Sequence, residues 1–367
     1  MNTPVTELLG IDFPLLAFSH CRDVVAAVTN AGGFGVLGAA GLTPEVLDAE
    51  LCWIDGHVAG RPYGADVLVP ERTAALRGGD LDALVPEGHR RFVGELLDRH
   101  GLPSGEVRLG SIRLGDPDTT AGLLDVAFSH PIALVANALG PPPEHLVAQA
   151  GRRGVPVAAL VGSRYHAERQ LAAGVDLLVA QGGEAGGHTG EIPTMVLVPE
   201  VVAAAAGRVP VLAAGGIVTG RQMAAAMALG ADGAWTGSVW LTTEEAETAP
   251  ATKAKMLAAG SGDTVRSRGR TGKPARQLRS GWTDAWDDPA GPGALPMPLQ
   301  SMLAEPALDR VDTAAAGGHE GARELATYFV GQGVGLLDSV RPARRVVAEM
   351  MEDFAAAVAR LAELDDA

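Results

Sequence analysis

Along the chain, apolar positions gather into short runs, separated by longer stretches in which apolar and polar residues recur at helical spacing. Eight runs rich in Val, Leu and Ala stand out: 13–19 (FPLLAFS), 34–39 (FGVLGA), 64–69 (GADVLV), 132–139 (IALVANAL), 155–162 (VPVAALVG), 176–182 (DLLVAQG), 209–216 (VPVLAAGG) and 232–238 (DGAWTGS). Most lack polar alternation, which is the pattern of strands buried on both faces. Arg22 to Asn30, Pro44 to Asp55, Pro143 to Arg153, Tyr165 to Ala173, Pro199 to Ala206 and Arg221 to Leu229 read as helices, and no hairpin signal interrupts the alternation. Eight β–α steps predict an α/β fold, a closed (β/α)8 TIM barrel.

Two stretches exceed a simple crossover. Pro70 to His130 holds helix-like HRRFVGELLDRHG and the turn signals RGGD and LPSGE, so an insertion of about 71–130 is expected after the third strand. Thr248 to Val340 is rich in Gly, Pro, Arg and Trp, and Val347, Met350, Phe354, Val358 and Leu361 follow at helical spacing. The expected organisation is a barrel core over 1–247, and a C-terminal excursion over 248–367 that shapes the substrate face and ends in a closing helix packed on the barrel. Trp240, Trp282, Trp286 and Tyr328 are candidates for an apolar lid, with structural packing the commoner fate of such rings.

Composition narrows the partners. At 47% hydrophobic and 20% charged over 367 residues, the chain has ample material for a core. A net charge of −15, with 29 scattered Lys and Arg, excludes a phosphate-backbone partner, so no nucleic acid is expected. No apolar stretch reaches spanning length and the N-terminus lacks a positive segment ahead of an apolar one, so no membrane association and a cytoplasmic location are expected. Cys21 and Cys52 are expected as buried free thiols, with a smaller case for Cys21 at a site because it follows His20 at a strand end. The nine histidines show no ligand spacing, so no metal site is expected.

In such a barrel, chemistry sits at the C-terminal strand ends and phosphates bind after strands seven and eight. Gly215 and Gly216 follow the seventh run, and Thr236, Gly237 and Ser238 end the eighth. Bare backbone, helix-start N–H groups and two hydroxyls there suit one phosphorylated cofactor. The sixth run ends in AQGGEAGGHTG, where Gln181 can donate to and accept from a flat heterocycle and Gly182, Gly183, Gly186 and Gly187 remove side chains that would block it. His188 is left to move a proton, with Glu184 either orienting it or solvated.

The segments VAQGGEAGGHTG, LAAGGIVTGRQMAAAMALGADGAWTGSVWLTTEEA and AAVTNAGGFGVLGAAGLTPE resemble the FMN-dependent nitronate monooxygenase family through nearly the whole barrel, and RTGKPARQLRS resembles a later segment. The resemblance implies a TIM barrel that binds FMN noncovalently through Gln181, Gly186, Gly216 and the run Trp235, Thr236, Gly237, Ser238, with His188 as catalytic base. It implies oxidation of alkyl nitronates, and nitroalkanes where His188 deprotonates them, by O2 to a carbonyl compound and nitrite. Three departures stand out. Asp66 occupies a position where the family usually has Asn, placing a carboxylate near the flavin. Trp235 and Thr236 replace Gln and Met, and the first strand ends Phe18, Ser19, His20, which leaves His20 either a second site group or a strand-end residue. Two alternatives remain: an FMN-dependent NAD(P)H reductase of quinones or enoyl thioesters, since relatives sharing EAGGH use NAD(P)H, and a catalytically silent flavin-binding barrel. Oligomeric state is not legible.

Overall fold

The computed structural model describes residues 1–69, 81–103, 105, 107–110, 117–138 and 140–363. The turn signal at 77–80 and part of that at 102–106 lie outside them. Eleven strands follow in chain order: β1 (Leu15–Ser19), β2 (Phe34–Gly38), β3 (Gly64–Asp66), β4 (Leu134–Asn137), β5 (Val157–Val161), β6 (Leu177–Gln181), β7 (Gly187–His188), β8 (Val211–Ala214), β9 (Gly233–Thr236), β10 (Thr264–Ser267) and β11 (Ala275–Leu278). Eight of them, β1 to β6 with β8 and β9, form a closed parallel barrel in which β1 pairs with both β2 and β9. All eight apolar runs are therefore barrel strands, each shorter than its run.

Why the runs lack alternation is visible in the packing. Leu16, Phe34, Val36, Leu134, Ala136, Ala158, Leu177, Val179, Leu212 and Ala214 fill the barrel interior, while their neighbours Leu15, Leu37, Val135, Val157, Ala159, Leu178, Val211 and Ala213 face the surrounding helices. A strand exposes successive side chains to opposite faces, and here both faces are apolar. A helix the sequence did not announce, Pro4–Leu9, sends Val5 and Leu9 into the interior cluster and so plugs one end of the barrel.

The crossover helices fall close to expectation: Arg22–Asn30, Pro44–His57, Glu144–Arg153, Arg164–Ala172, Thr194–Ala205 and Gly220–Ala228. The fifth starts earlier than read because its Pro199 is carried inside the helix. The closing helix, Ala343–Ala362, buries Val347 and Met350, whereas Val358 and Leu361 are exposed, so only its first half packs down. It approaches the helix Gly220–Ala228 so closely that a Cβ on Gly220 would lie 1.8 Å from the Met350 carbonyl oxygen.

A second apolar core sits apart from the barrel. Val93, Leu96 and Leu97 of the helix Glu87–Arg99 pack with Trp282, Trp286, Leu303, Leu308, Val311 and Leu325, which joins the insertion to the C-terminal excursion. Trp282 and Trp286 belong to this core rather than to a lid. The absence of hairpin signals is also corrected: β10 and β11 pair antiparallel, and β11 pairs antiparallel with β7. These strands have only two to four residues, too few for a period to register. Among the described residues no helix is long and apolar enough to cross a membrane.

Candidate active site

A cavity of about 1400 Å³ opens at the C-terminal ends of the barrel strands. Ligand sites commonly occupy roughly 300–1,000 Å³, so this one has room for more than one molecule. Of the site residues singled out from the sequence, Asp66, Gln181, Gly186, Gly187, His188, Gly215, Gly216, Trp235, Thr236, Gly237 and Ser238 line it, whereas Gly182, Gly183 and Glu184 do not. So do His20 and Cys21, and the excursion contributes Arg270, Lys273, Glu305, Asp312, Tyr328 and Phe329.

His188 is fixed by the small sheet over the barrel mouth. On β7 it pairs with Ala275 of β11, and its Nδ1 lies 3.2 Å from the Pro274 carbonyl oxygen. A carbonyl only accepts, so Nδ1 carries the proton and Nε2 keeps a lone pair. Burial pushes the imidazole below its ordinary pKa; the Pro274 bond opposes this and Lys273 adds to it. The outcome is a neutral imidazole with a basic nitrogen. His20 repeats the design, with Nδ1 2.9 Å from the Gly38 carbonyl oxygen and its pKa lowered by burial and, more weakly, by Arg270.

Asp66 ends β3 beside Gly38 of β2. Burial alone pushes its carboxyl up to about 7. A group placed like this is half protonated near neutrality and does not present a full negative charge to its surroundings. Trp235 is buried at the cavity floor, its ring stacked at 6.2 Å on Phe18, which in turn meets His20 edge-on.

The glycines divide by physical role. A Cβ on Gly182 would approach Thr194 Oγ1 to 2.1 Å, one on Gly183 the Glu191 carbonyl to 3.2 Å, and one on Gly186 the Val330 and Gly331 backbone to 2.9 Å. The expectation that all four glycines are bare to admit a ring is therefore corrected at three of them: they let the loop after β6, residues 182–190 and here called loop six, pack against its neighbours. Gly187 and Gly237 differ, since a Cβ there would meet nothing within 4 Å. At Gly215 and Gly216 the backbone is left-handed, φ +108° and +71°, which disfavours any side chain.

Hydroxyls and carboxylates are also redistributed. Thr236 Oγ1 donates to the Leu16 carbonyl at 2.9 Å and accepts from Trp240 Nε1 at 2.9 Å, so that hydroxyl is committed to the fold. Ser238 Oγ accepts from the Gly331 N–H at 2.8 Å and keeps its proton to donate. Glu184 does not orient His188: half-buried, it receives the Thr194 N–H at 2.9 Å and the Thr194 hydroxyl at 2.9 Å, capping the helix Thr194–Ala205. Arg276 Nε donates to the Gly183 carbonyl at 2.8 Å, tying loop six to β11. Cys21 is buried with its thiol donating to the Glu245 carbonyl at 3.1 Å, whereas Cys52 is exposed, contrary to expectation.

The donor set fits a phosphorylated, flat-ringed cofactor. Among the described residues no hydrogen bond takes the N–H of Gly216, Gly237 or Ser238. Five of the buried side-chain atoms without a partner, on Gln170, Thr189, Thr252, Arg270 and Asp312, belong to cavity-lining residues. Sequence reasoning missed Arg270, Glu305 and Asp312, whose only signal was charge at 305 and 312, seven apart on one helical face.

Comparison with known proteins is consistent across sequence and structure. The nitronate monooxygenase family model matches residues 2–353. A Mycobacterium tuberculosis protein provisionally named a monooxygenase, Rv1533, is 59% identical over 370 residues, covering 98% of each chain. From the same organism, (3aS,4S,5R,7aS)-5-hydroxy-7a-methyl-1-oxo-octahydro-1H-indene-4-carboxyl-CoA dehydrogenase is 32% identical over 76% of this chain and 67% of its own. The solved structure of nitroalkane oxidase from Streptomyces ansochromogenes superposes with a TM-score of 0.82 at 26% identity, covering 98% of this chain and 100% of that one.

Proposed function

The chain belongs to the nitronate monooxygenase family, and we propose that this flavin-dependent oxidoreductase binds FMN and oxidises alkyl nitronates by O2 to a carbonyl compound and nitrite, with His188 as base toward neutral nitroalkanes. The observation that carries the proposal is His188 itself: a half-buried, neutral imidazole whose Nδ1–H is held by Pro274, leaving Nε2 as the basic atom of a cavity-lining residue.

The residues divide the work. Backbone N–H groups of Gly216 and Gly237, with the Ser238 hydroxyl, would hold the FMN phosphate, and the Gln181 amide would meet the ring edge. Gly186 and Gly215 would bring backbone close, Trp235 and Thr236 would form the floor, and Asp66 would stand beside the ring as a carboxyl about half protonated at pH 7. When bound, FMN supplies the electron-accepting chemistry. His188 Nε2 takes the proton from the α-carbon of a nitroalkane, and the charge left behind spreads onto the nitro oxygens. Loop six, pinned by Arg276 and by the Glu184 cap, keeps the imidazole from turning.

Substitution His188→Asn tests this. Flavin retention should be unchanged and kcat/KM for neutral nitroethane should fall by about 10²–10⁴-fold, the usual worth of a positioned base. Turnover of preformed ethylnitronate should change little. Equal loss on both substrates removes the base role.

A second reading, an FMN-dependent oxidoreductase of acyl thioesters, is favoured by the 32% identity to a carboxyl-CoA dehydrogenase and by a cavity larger than a small nitronate needs. Rapid NAD(P)H-dependent bleaching of the flavin with no response to nitronates would select it.

A further inference from the structure

We propose that Asp48, Cys52 and His130 form a Zn2+ site at the end of the barrel opposite the cavity. None of the three lines the cavity, so the site is independent of which substrate is oxidised there.

Asp48 and Cys52 stand one helical turn apart on Pro44–His57 and so share one face of it. His130 arrives from the turn that leads into β4, 82 residues beyond Asp48, which is why no ligand spacing shows in the sequence. One ligand atom from each residue, an imidazole nitrogen, a thiol sulfur and a carboxylate oxygen, lies within 4.8 Å of the other two. His130 Nε2 and Asp48 Oδ1 are 3.3 Å apart. Zinc bonds of about 2.0–2.1 Å at a tetrahedral angle separate a bound nitrogen from a bound oxygen by ~3.3 Å. That edge is already at the spacing the metal needs, and Cys52, being exposed, can bring its sulfur in by rotation about χ1.

The support behind His130 is also in place. Its side chain is only 7% exposed, and Nδ1 lies 2.7 Å from Asp55 Oδ2. The other Asp55 oxygen accepts from the buried Tyr63 hydroxyl at 2.6 Å. Zinc-bound histidines characteristically donate their second ring N–H to a carboxylate, which fixes the tautomer and the ring plane. With Nδ1–H given to Asp55, Nε2 keeps a lone pair and points it at an Asp48 oxygen that also carries one. Two lone pairs at that distance call for a cation between them, either a proton or a metal. The thiol favours the metal: it has no part in an imidazolium–carboxylate pair, whereas nitrogen, sulfur and oxygen donors together are a zinc set. Mg2+ and Ca2+ take oxygen ligands and are disfavoured. Binding displaces the Cys52 thiol proton, water fills the fourth position, and the ion ties the helix Pro44–His57 to the approach to β4.

The test titrates the full chain, stripped with EDTA and then freed of chelator, with Zn2+, with Mg2+, and with Co2+ as a visible probe. One Zn2+ per chain should bind with a Kd on the order of micromolar or tighter, without competition from Mg2+. At free zinc a hundred times Kd the melting temperature should rise by about 3–4 °C. Co2+ difference spectra should show a thiolate-to-metal charge-transfer band. Cys52→Ser should remove that band and weaken Zn2+ binding at least tenfold. Cys21→Ser removes the other thiol, which lies with Asp23 and Glu247 in a separate cluster, and should change neither. Absence of saturable Zn2+ uptake by the unmodified protein overturns the proposal and assigns the cation between His130 and Asp48 to a proton. Uptake that persists undiminished in Cys52→Ser, or is lost in Cys21→Ser, overturns it as well. None of these readouts involves turnover, so inactivity toward nitronates leaves the outcome readable.

Discussion

Replacing Asp66 by Asn keeps the shape of the side chain and removes its titration. In the folded protein burial pushes the carboxyl up to about 7, against an ordinary value of 3.8. The unfolded chain therefore releases its proton first. The acid costs nothing below the unfolded value, costs more as pH rises toward 7, and costs a constant amount above that. At 1.36 kcal/mol per unit, Asp66→Asn should gain about 1.5 kcal/mol at pH 5 and about 4 kcal/mol at pH 8. The carboxyl sits on a cavity wall and is only half-buried, so solvent screening brings roughly half of these figures. For a chain of 367 residues the unfolding entropy is about 0.8 kcal/mol/K, so the melting temperature should rise by about 1 °C at pH 5 and 2–3 °C at pH 8. Thermal melts of the flavin-free protein and the variant across pH 5 to 9 measure this. A gain that is the same at both ends, or that shrinks with pH, refutes the reasoning. The same titration reaches function: flavin affinity of the unmodified protein should weaken as pH passes through 7, and that of Asp66→Asn should stay flat.

Two further substitutions separate the roles of the glycines. Gly237→Val should leave the melting temperature of the flavin-free protein unchanged, because its Cβ meets nothing within 4 Å, and should weaken FMN binding at least tenfold in an equilibrium titration. Gly186→Val should instead lower that melting temperature by about 1–4 °C, since the new Cβ lies 2.9 Å from the Val330 backbone and overpacking costs about 1–3 kcal/mol. Glu184→Ala removes the cap on Thr194–Ala205; calorimetric unfolding should show a loss of about 1–2 kcal/mol, with FMN held less tightly as loop six loosens.

The barrel was legible because each strand is buried on both sides, which writes a continuous apolar run into the sequence. Helix starts were legible where Thr or Pro marks them, as at Thr43 and Pro143. Periodicity misled at Val358 and Leu361, which keep helical spacing beyond the point where the closing helix has anything to pack against. The site strands β7, β10 and β11 were not legible, being too short to show a period, and β7 meets β11 only across some 90 residues. The same distance hid Arg270, Glu305 and Asp312. Loop six was legible as a site and misread in detail: a glycine looks the same whether it admits a ligand or a neighbouring backbone, and only the contacts of its missing Cβ tell them apart.

The most direct measurement is the visible spectrum of the purified protein, followed by anaerobic mixing with ethylnitronate and, separately, with NADPH. We expect a flavin band that ethylnitronate bleaches and NADPH leaves intact. A protein without a flavin band, or one whose band NADPH bleaches while ethylnitronate has no effect, contradicts the assignment of this cavity to nitronate oxidation.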